Sequence, residues 1–293
     1  MLNFDDHDGQ IWLDGRLEPW REVKVHLLTH GLHYASSVFE GERVYDGEIF
    51  RLREHSQRLI SSAGVMGFEI PYGLEEIEQA TRETVAAQGF ADAYVRPVAW
   101  RGSEMMAISA QSAKIHLAVA VWPLGSYFSD EGRLRGIRLG LSDWRRPSPD
   151  SAPVKSKSAG LYMICTLSKH KAEAEGYDDA LMLDYRGQVA ETTGANIFFV
   201  KDGKLHTPTP DCFLDGITRQ TVIGLAGLRG IEVAERAIML EEMAGADEVF
   251  VTGTAAEVTP VSEIDGQSYQ VGPVTRQLLE DYDKEVHKGP EAD

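Results

Sequence analysis

The chain has 293 residues, with 46 acidic against 29 basic side chains and a formal net charge of −17. A protein that grips nucleic acid or anionic lipid needs a basic face, so those partner classes are set aside. The length predicts about two domains, and 43% apolar residues supply cores that need no staples.

Short alternating runs separated by Asp-Gly turns come first. Ile11–Leu13 precedes Asp14-Gly15, and Glu42–Tyr45 precedes Asp46-Gly47 and Glu48–Phe50. Each reads as an antiparallel hairpin, because Asp-Gly accepts the positive φ of a tight turn. Between them, Arg53–Met66 places Leu59, Ile60, Ala63 and Met66 at helical spacing. Strands are expected near residues 93–100 and 114–122, then a polar stretch, then strand-like material from Ile137. A boundary near residue 130 follows, giving an N-terminal domain 1–130 and a cofactor-binding domain 131–293. Further on, Tyr162–Glu175 reads as a helix capped by Gly176. Ile197–Val200 and Leu205-His206 read as a third hairpin around Asp202-Gly203, and Thr218–Leu228 as another helix. Hairpins with segregated helices predict an α/β fold of α+β character, with mixed and antiparallel sheets.

Several chemistries are missing. There is no Gly-x-Gly-x-x-Gly after a strand, no P-loop and no His-Glu-x-x-His. Cys165 and Cys212 have no Cys-x-x-Cys spacing, so a reducing compartment is expected. The acidic start has no basic-then-apolar leader, and no run reaches 18 apolar residues, so a cytoplasmic location without membrane partners is expected. His26, His30 and His33 could share a helix face. They are interleaved with Val25, Leu27, Leu28 and Leu32 and have no carboxylate or thiol nearby, so no metal site is expected.

Five segments carry chemistry together. In Lys155-Ser156-Lys157-Ser158-Ala159-Gly160, a lysine among small neighbours lets a planar group reach its amine. In Glu191-Thr192-Thr193-Gly194-Ala195-Asn196, a carboxylate ends a strand before a small-residue turn, where it can meet a heterocyclic nitrogen. Gly216-Ile217-Thr218-Arg219 opens a helix, and Thr252-Gly253-Thr254-Ala255-Ala256 follows a strand; both suit an anion. In Tyr94-Val95-Arg96, tyrosine and arginine alternate onto one face, suited to a carboxylate. A Schiff-base lysine, a carboxylate for a pyridine nitrogen and phosphate cradles are what a pyridoxal phosphate enzyme needs.

On these residues the chain resembles the fold type IV pyridoxal-phosphate aminotransferases, a two-domain fold like that of D-amino acid aminotransferase. Among them it is most similar to the branched-chain amino acid aminotransferases. The resemblance runs from about Ile11 to Val274. Its most specific pieces are His30-Gly31-Leu32-His33-Tyr34, Val38-Phe39-Glu40-Gly41, Lys157-Ser158-Ala159-Gly160-Leu161-Tyr162, Glu191 with Asn196-Ile197-Phe198, Gly216-Ile217-Thr218-Arg219 and Gly253-Thr254-Ala255-Ala256-Glu257.

The resemblance implies that Lys157, five residues before Tyr162, holds pyridoxal 5'-phosphate and moves the substrate α-proton. It implies Glu191 at the pyridine nitrogen and Tyr162 at the phenolic oxygen. Arg58, Gly194, Leu214, Ile217, Thr218 and Thr254 would complete cofactor binding. Phe39, Gly41, Arg43, Tyr34, Tyr127, Met106 and Ile108 would form the side-chain pocket. Tyr94 and Arg96 would meet a γ-carboxylate, and Ala255 and Ala256 the α-carboxylate. The implied reaction passes an amino group from branched-chain L-amino acids to 2-oxoglutarate. Tyr34 and the Met106–Ile108 loop would complete a neighbouring subunit's site, so at least a homodimer is implied.

The chain departs from the family pattern at Ala107, where a second glycine is usual, and at Glu42-Arg43, where an apolar-basic pair is commoner. A D-amino acid or (R)-amine aminotransferase and an aminodeoxychorismate lyase share the fold and stand as alternatives. Residues 101–160 hold 9 basic and 5 acidic side chains, the one stretch of net positive charge. A positive well around Arg58, Arg96 and Lys157 is therefore expected.

Overall fold

The structure, a computed structural model, describes residues 3–124 and 135–289. The chain forms two compact units, Met1–Gly125 with Ser156–Gly160, and Ser126–Lys155 with Leu161–Asp293. The boundary expected near residue 130 falls outside the described residues.

Among the described residues, the first unit holds a seven-stranded antiparallel sheet. Its order is β2 (Arg16–Pro19), β1 (Gln10–Leu13), β7 (Ile115–Pro123), β6 (Ala93–Arg101), β4 (Glu42–Tyr45) and β5 (Glu48–Ile49), with β3 (Ser37–Phe39) also on β6. The two expected hairpins form, and their turns place Asp14, Gly15, Asp46 and Gly47 all at positive φ. Along β6, Ala93, Val95 and Ala99 are fully buried. They join Leu59 and Ala63 of α2 (Leu52–Val65) and Ile77 and Ala80 of α3 (Leu74–Gln88) in one core. The alternation of a strand sends Arg96, Val98 and Trp100 to the other face. There they line a groove of about 390 Å³ with Val25, Leu32 and Ala118.

Helix α3 is absent from the sequence reading for a physical reason. Its buried face carries Glu78, Thr81 and Thr84 among the apolar residues, which breaks the period. The two hydroxyls donate back to Ile77 O and Ala80 O at 3.0 and 2.7 Å, so no polar group is stranded.

The second unit closes on itself. Strands β10 (Val189–Thr192), β9 (Asp179–Leu183), β8 (Ile137–Leu141), β15 (Glu257–Ile264), β14 (Glu248–Gly253) and β11 (Asn196–Lys201) pair in sequence, and β10 pairs with β11 to complete the ring. Ile137, Leu139, Leu181, Ile197, Val251 and Val261 belong to its core. Strand β8 is parallel to β9 and to β15. The helix Tyr162–Ala174, α4, supplies the crossover that a parallel pair requires. Strand β12 (Lys204–Pro208) continues from β11 through the expected Asp202-Gly203 hairpin. Helix α5 (Ile217–Leu228) follows, then β13 (Val233–Arg236), the short α6 (Leu240–Met243) and α7 (Pro273–Val286). Buried Glu248 accepts from Val274 N and Thr275 N at 3.1 and 2.7 Å, capping the start of α7. Among the described residues, no helix is long and apolar enough to cross a membrane.

Candidate active site

Lys157, in the first unit, is half-buried, whereas Lys155, the last residue of the second unit's Ser126–Lys155 segment, is exposed. The lysine segment is stitched down on both sides. Lys157 N donates to Ser62 Oγ at 3.0 Å, Phe39 N donates to Lys157 O at 3.1 Å, and Ser156 Oγ donates to Ser62 O at 3.0 Å. Val38 and Ser158 form an antiparallel bridge. Small residues at 156 and 158 are what allows this close seating against β3 and α2. The ammonium of Lys157 then stands 5.2 Å from the centre of the Phe39 ring, within cation–π range.

The same ring carries the Arg96 guanidinium at 4.7 Å. Arg96 also lies 5.3 Å from the Tyr94 ring and donates to the Tyr94 hydroxyl at 3.2 Å. Its Nε is buried with no hydrogen-bond acceptor, a donor suited to an incoming carboxylate. Gly41 leaves room for this arrangement: a Cβ at that position would stand 1.9 Å from the Tyr94 hydroxyl oxygen, so the Tyr94 ring would have to move. Arg43 is buried and stacks 4.9 Å from the Tyr45 ring. Lys157, Phe39, Gly41, Tyr94 and Arg96 are thus brought together.

Beside them lies a buried charge cluster that the sequence reading did not assemble. Arg58 donates through Nε and Nη2 to the two oxygens of Glu40 at 2.7 and 2.8 Å, and His55 Nδ1 lies 2.7 Å from Glu40. Arg58, His55 and Ser62 fall on one face of α2 through their i, i+3 and i+7 spacing. Burial works to raise the Glu40 pKa. The charge and hydrogen bonds of Arg58, with those of His55, outweigh it and hold the carboxyl well below the usual range. Burial, more than any other effect, lowers the His55 pKa, although its bond to Glu40 opposes that. Glu42 is different. It is fully buried and neither carboxyl oxygen has a partner. Burial and the charge of Glu40 push its pKa well above the ordinary value, despite Arg58. The charge of Arg58 is therefore met by Glu40, which tempers the positive well expected around it.

Tyr34, Met106 and Ile108 form a separate, exposed group. His30 ties their segments together, with Nδ1 2.6 Å from Ser36 Oγ and Nε2 2.9 Å from Ala107 O. Both ring nitrogens of His30 are engaged, and His33 Nε2 lies 2.9 Å from Leu27 O. The histidines do structural work at these positions. Tyr127 lies outside the described residues.

In the second unit, Glu191 sits near the end of β10, opposite Asn196 of β11. Arg146, only 3% exposed as a residue, brings its guanidinium Nε to 3.2 Å from Glu191 Oε1. Nothing in the local sequence marks Arg146 beyond its place in the basic stretch. Tyr162, half-buried, opens α4.

Three small-residue turns meet at one end of this unit. Asn196 brackets the turn before α5: its Nδ2 donates to Leu214 O at 3.0 Å and its Oδ1 accepts from Gly216 N at 3.2 Å. A Cβ on Gly216 would stand 2.3 Å from that Oδ1, and one on Gly253 would stand 3.2 Å from Gly194 O. Helix α5 has no side-chain cap at Gly216, so the donors of its first turn, Ile217 and Thr218 among them, suit an anion. Thr252 Oγ1 is buried with no partner. After Thr254, Ala255 and Ala256, the chain turns at Glu257 with φ +54°. A side chain in that region costs about 1–2 kcal/mol, and such strain concentrates at functional turns. A cradle without side chains, an uncapped helix start and an orphaned hydroxyl fit a phosphate-bearing cofactor.

Residues 37–264 match the amino-transferase class IV family. The branched-chain-amino-acid aminotransferase of Pseudomonas aeruginosa is 42% identical over 288 residues, 96% of this chain and 94% of that protein. A solved branched-chain aminotransferase from Thermoproteus uzoniensis with norvaline is 42% identical, with TM-score 0.91, covering 96% of this chain and 95% of that one. The branched-chain amino acid aminotransferase from Thermobaculum terrenum, solved in its PLP-form, is 34% identical, with TM-score 0.88, covering 95% of this chain and 94% of that one.

Proposed function

Because the chain belongs to the class IV aminotransferases, we propose that it transfers the amino group of branched-chain L-amino acids to 2-oxoglutarate, with pyridoxal 5'-phosphate as cofactor. The products are branched 2-oxo acids and glutamate. The observation that carries the reading is the Phe39 face, which holds the Lys157 ammonium at 5.2 Å and the Arg96 guanidinium at 4.7 Å. One aromatic surface thus serves an apolar side chain, while the buried Nε of Arg96 serves a carboxylate. A pocket that accepts leucine and glutamate in turn needs both.

When bound, the cofactor supplies an aldehyde for the amino group and a ring that accepts electrons from the substrate α-carbon. In this reading Lys157 Nζ would hold the cofactor's aldehyde end and would move the proton at the substrate α-carbon. Glu191 would accept a hydrogen bond from the ring nitrogen, and Tyr162 would orient the phenolic oxygen. Arg58, Gly194, Leu214, Ile217, Thr218 and Thr254 would hold the phosphate end. The backbone of Ala255 and Ala256 takes the α-carboxylate. Gly41 leaves room for the Tyr94 hydroxyl, which steadies Arg96, and Arg43 backs the pocket from β4.

The assembly belongs to the same reading. Tyr34, Met106 and Ile108 expose 44%, 41% and 84% of their surface, beside Leu27 and Leu32 at 72% and 62%. Apolar side chains so exposed favour a second copy of the chain, so a homodimer in which Tyr34, Met106 and Ile108 complete the partner's pocket is proposed. Light scattering of the purified protein at a monomer mass would overturn it. The division of the chain near residue 130 and a cytoplasmic location are part of the same proposal.

Incubation with L-leucine, 2-oxoglutarate and the cofactor tests the function, with glutamate as readout. Turnover on D-alanine or an (R)-amine but not on L-leucine would replace it with the D-amino acid or (R)-amine reading. Turnover of aminodeoxychorismate without 2-oxoglutarate would favour the lyase.

A further inference from the structure

Among the described residues, Arg146 is the most buried cation of the second unit after Arg219, at 3% exposed. The environment of Arg219 is accounted for: it bonds Asp215, Glu235 and Pro208 O, which fastens the start of α5. Arg146 has no such structural task for its head group. Its backbone is fixed, donating to Leu183 O at 2.8 Å and bridging to Asp184. Its side chain then runs inward to one carboxylate and one thiol. Nε stands 3.2 Å from Glu191 Oε1, too poorly aligned to count as a hydrogen bond, and Nη1 stands 3.5 Å from Cys165 Sγ. Glu191 is itself 13% exposed at its side chain. A guanidinium buried against a carboxylate without a bidentate bond is a poor device for stability, since desolvation offsets the attraction.

We propose that Arg146 is a positioning residue that keeps Glu191 ionised, so that the proton shared between Glu191 and the cofactor's ring nitrogen stays on the nitrogen. The inference rests on the aminotransferase reading given above. Two microstates compete, carboxylate with protonated ring and carboxylic acid with neutral ring. They contain the same atoms and the same proton. A fixed positive charge 3.2 Å from the carboxylate oxygen favours the first. The ring draws electrons from the substrate more strongly in that state, so the location of this proton tunes the rate of α-proton removal.

The surroundings agree. Burial lowers the Arg146 pKa, but the charge of Glu191, with smaller contributions from Cys165, Tyr162 and Cys212, leaves it raised, so Arg146 remains a cation throughout the working range. Cys165 stays neutral, with burial and then the Glu191 charge pushing its thiol up to about 11 against the pull of Arg146. Its Sγ donates to Leu161 O. Glu191 is then the group whose charge acts most strongly on Arg146.

The test compares wild type, Arg146→Lys and Arg146→Gln, each reconstituted with cofactor labelled with nitrogen-15 in the ring. The visible band of lysine-bound cofactor and a thermal melt confirm loading and folding. Expected are an upfield, protonated nitrogen signal in wild type and a downfield, neutral one in the glutamine variant. The lysine variant falls between them, because a hydrated ammonium on a shorter stem approaches Glu191 less closely. A new infrared carbonyl band of a protonated carboxyl accompanies the neutral nitrogen, and kcat falls by about 10- to 100-fold, the usual cost of losing a residue that orients a primary partner. Should the glutamine variant not fold, the difference between wild type and lysine decides. Identical nitrogen positions in all loaded variants overturn the proposal and leave the cofactor reading intact. Absence of the visible band in wild type overturns the cofactor reading itself.

Discussion

Replacing Glu42 with glutamine deletes one titration and little else. The carboxyl is fully buried, neither oxygen has a hydrogen-bond partner, and its pKa is held well above the ordinary value. Glutamine has the same shape and no charge, so the cost of burying a polar group is retained in the variant. The sign follows from linkage. Below the unfolded value of about 4.3, folded and unfolded chains both carry the proton and Glu42 contributes no pH dependence. Above it, the unfolded chain releases a proton that the folded chain keeps, so folding loses about 1.4 kcal/mol per pH unit until the folded pKa is reached. Glu42→Gln is therefore expected to gain on wild type as pH rises above 5, by that amount per unit up to the folded pKa and by no more beyond it. Guanidinium denaturation at pH 5, 6, 7 and 8, followed by tryptophan fluorescence, measures it. Four of the five tryptophans, Trp12, Trp20, Trp100 and Trp122, lie in the first unit and Trp144 in the second, so the signal reports mainly the part of the chain that holds Glu42. A stability difference that stays constant from pH 5 to 8 would mean that Glu42 is ionised in the folded protein, and the reasoning about its isolation would be wrong.

Glu40 behaves in the opposite sense. Its depressed pKa gives stability that is present above the ordinary carboxylate value and lost as pH falls through the folded one. Removing it by Glu40→Gln leaves Arg58 without its buried partner and is expected to cost about 3–5 kcal/mol at pH 7 in the same denaturation experiment; a change below 1 kcal/mol would show the pair to be ornamental. Asn196→Ala strips both partners from the turn before α5, Leu214 O and Gly216 N. One or two unsatisfied groups cost about 1–3 kcal/mol, so cofactor affinity measured by equilibrium dialysis is expected to fall by roughly 5- to 150-fold. Unchanged affinity would remove this turn from the phosphate cradle. Gly41→Ala places a methyl 1.9 Å from the Tyr94 hydroxyl oxygen and is expected to raise KM for 2-oxoglutarate more than KM for L-leucine. Equal changes in both would separate Tyr94 from carboxylate recognition.

What could be read from the sequence was what local chemistry encodes. The Asp-Gly hairpins were legible because two positive φ angles in a row demand those residues, and the fold class followed from them. A fourth such turn, Asp265-Gly266, joins β15 to β16 (Gln267–Ser268) with the same pair of positive φ angles. Its second strand, Gln267–Ser268, is two exposed polar residues, without the apolar residue that Ile49 gives the equally short β5. The lysine segment was legible because a reactive amine needs small neighbours, and the structure shows why: Ser156 and Ser158 are buried in its seating. Helix α3 was hidden by threonines whose hydroxyls return to their own helix. Closure of the second sheet depends on β10 meeting β11 while β8 pairs in parallel on both sides, a long-range arrangement that no local pattern states. Arg146 and Glu40 escaped for the same reason. Each matters through a partner brought to it by the fold, Glu191 for one and Arg58 for the other.

The most direct test of the central claim is glutamate formation by the purified protein, loaded with pyridoxal 5'-phosphate, from L-leucine and 2-oxoglutarate, run beside Lys157→Ala. Steady glutamate production by wild type, matched by oxidation of leucine to its 2-oxo acid and abolished in the variant, is the predicted result. Undiminished turnover in Lys157→Ala, or no glutamate from any branched-chain L-amino acid while D-alanine is consumed, would contradict the account.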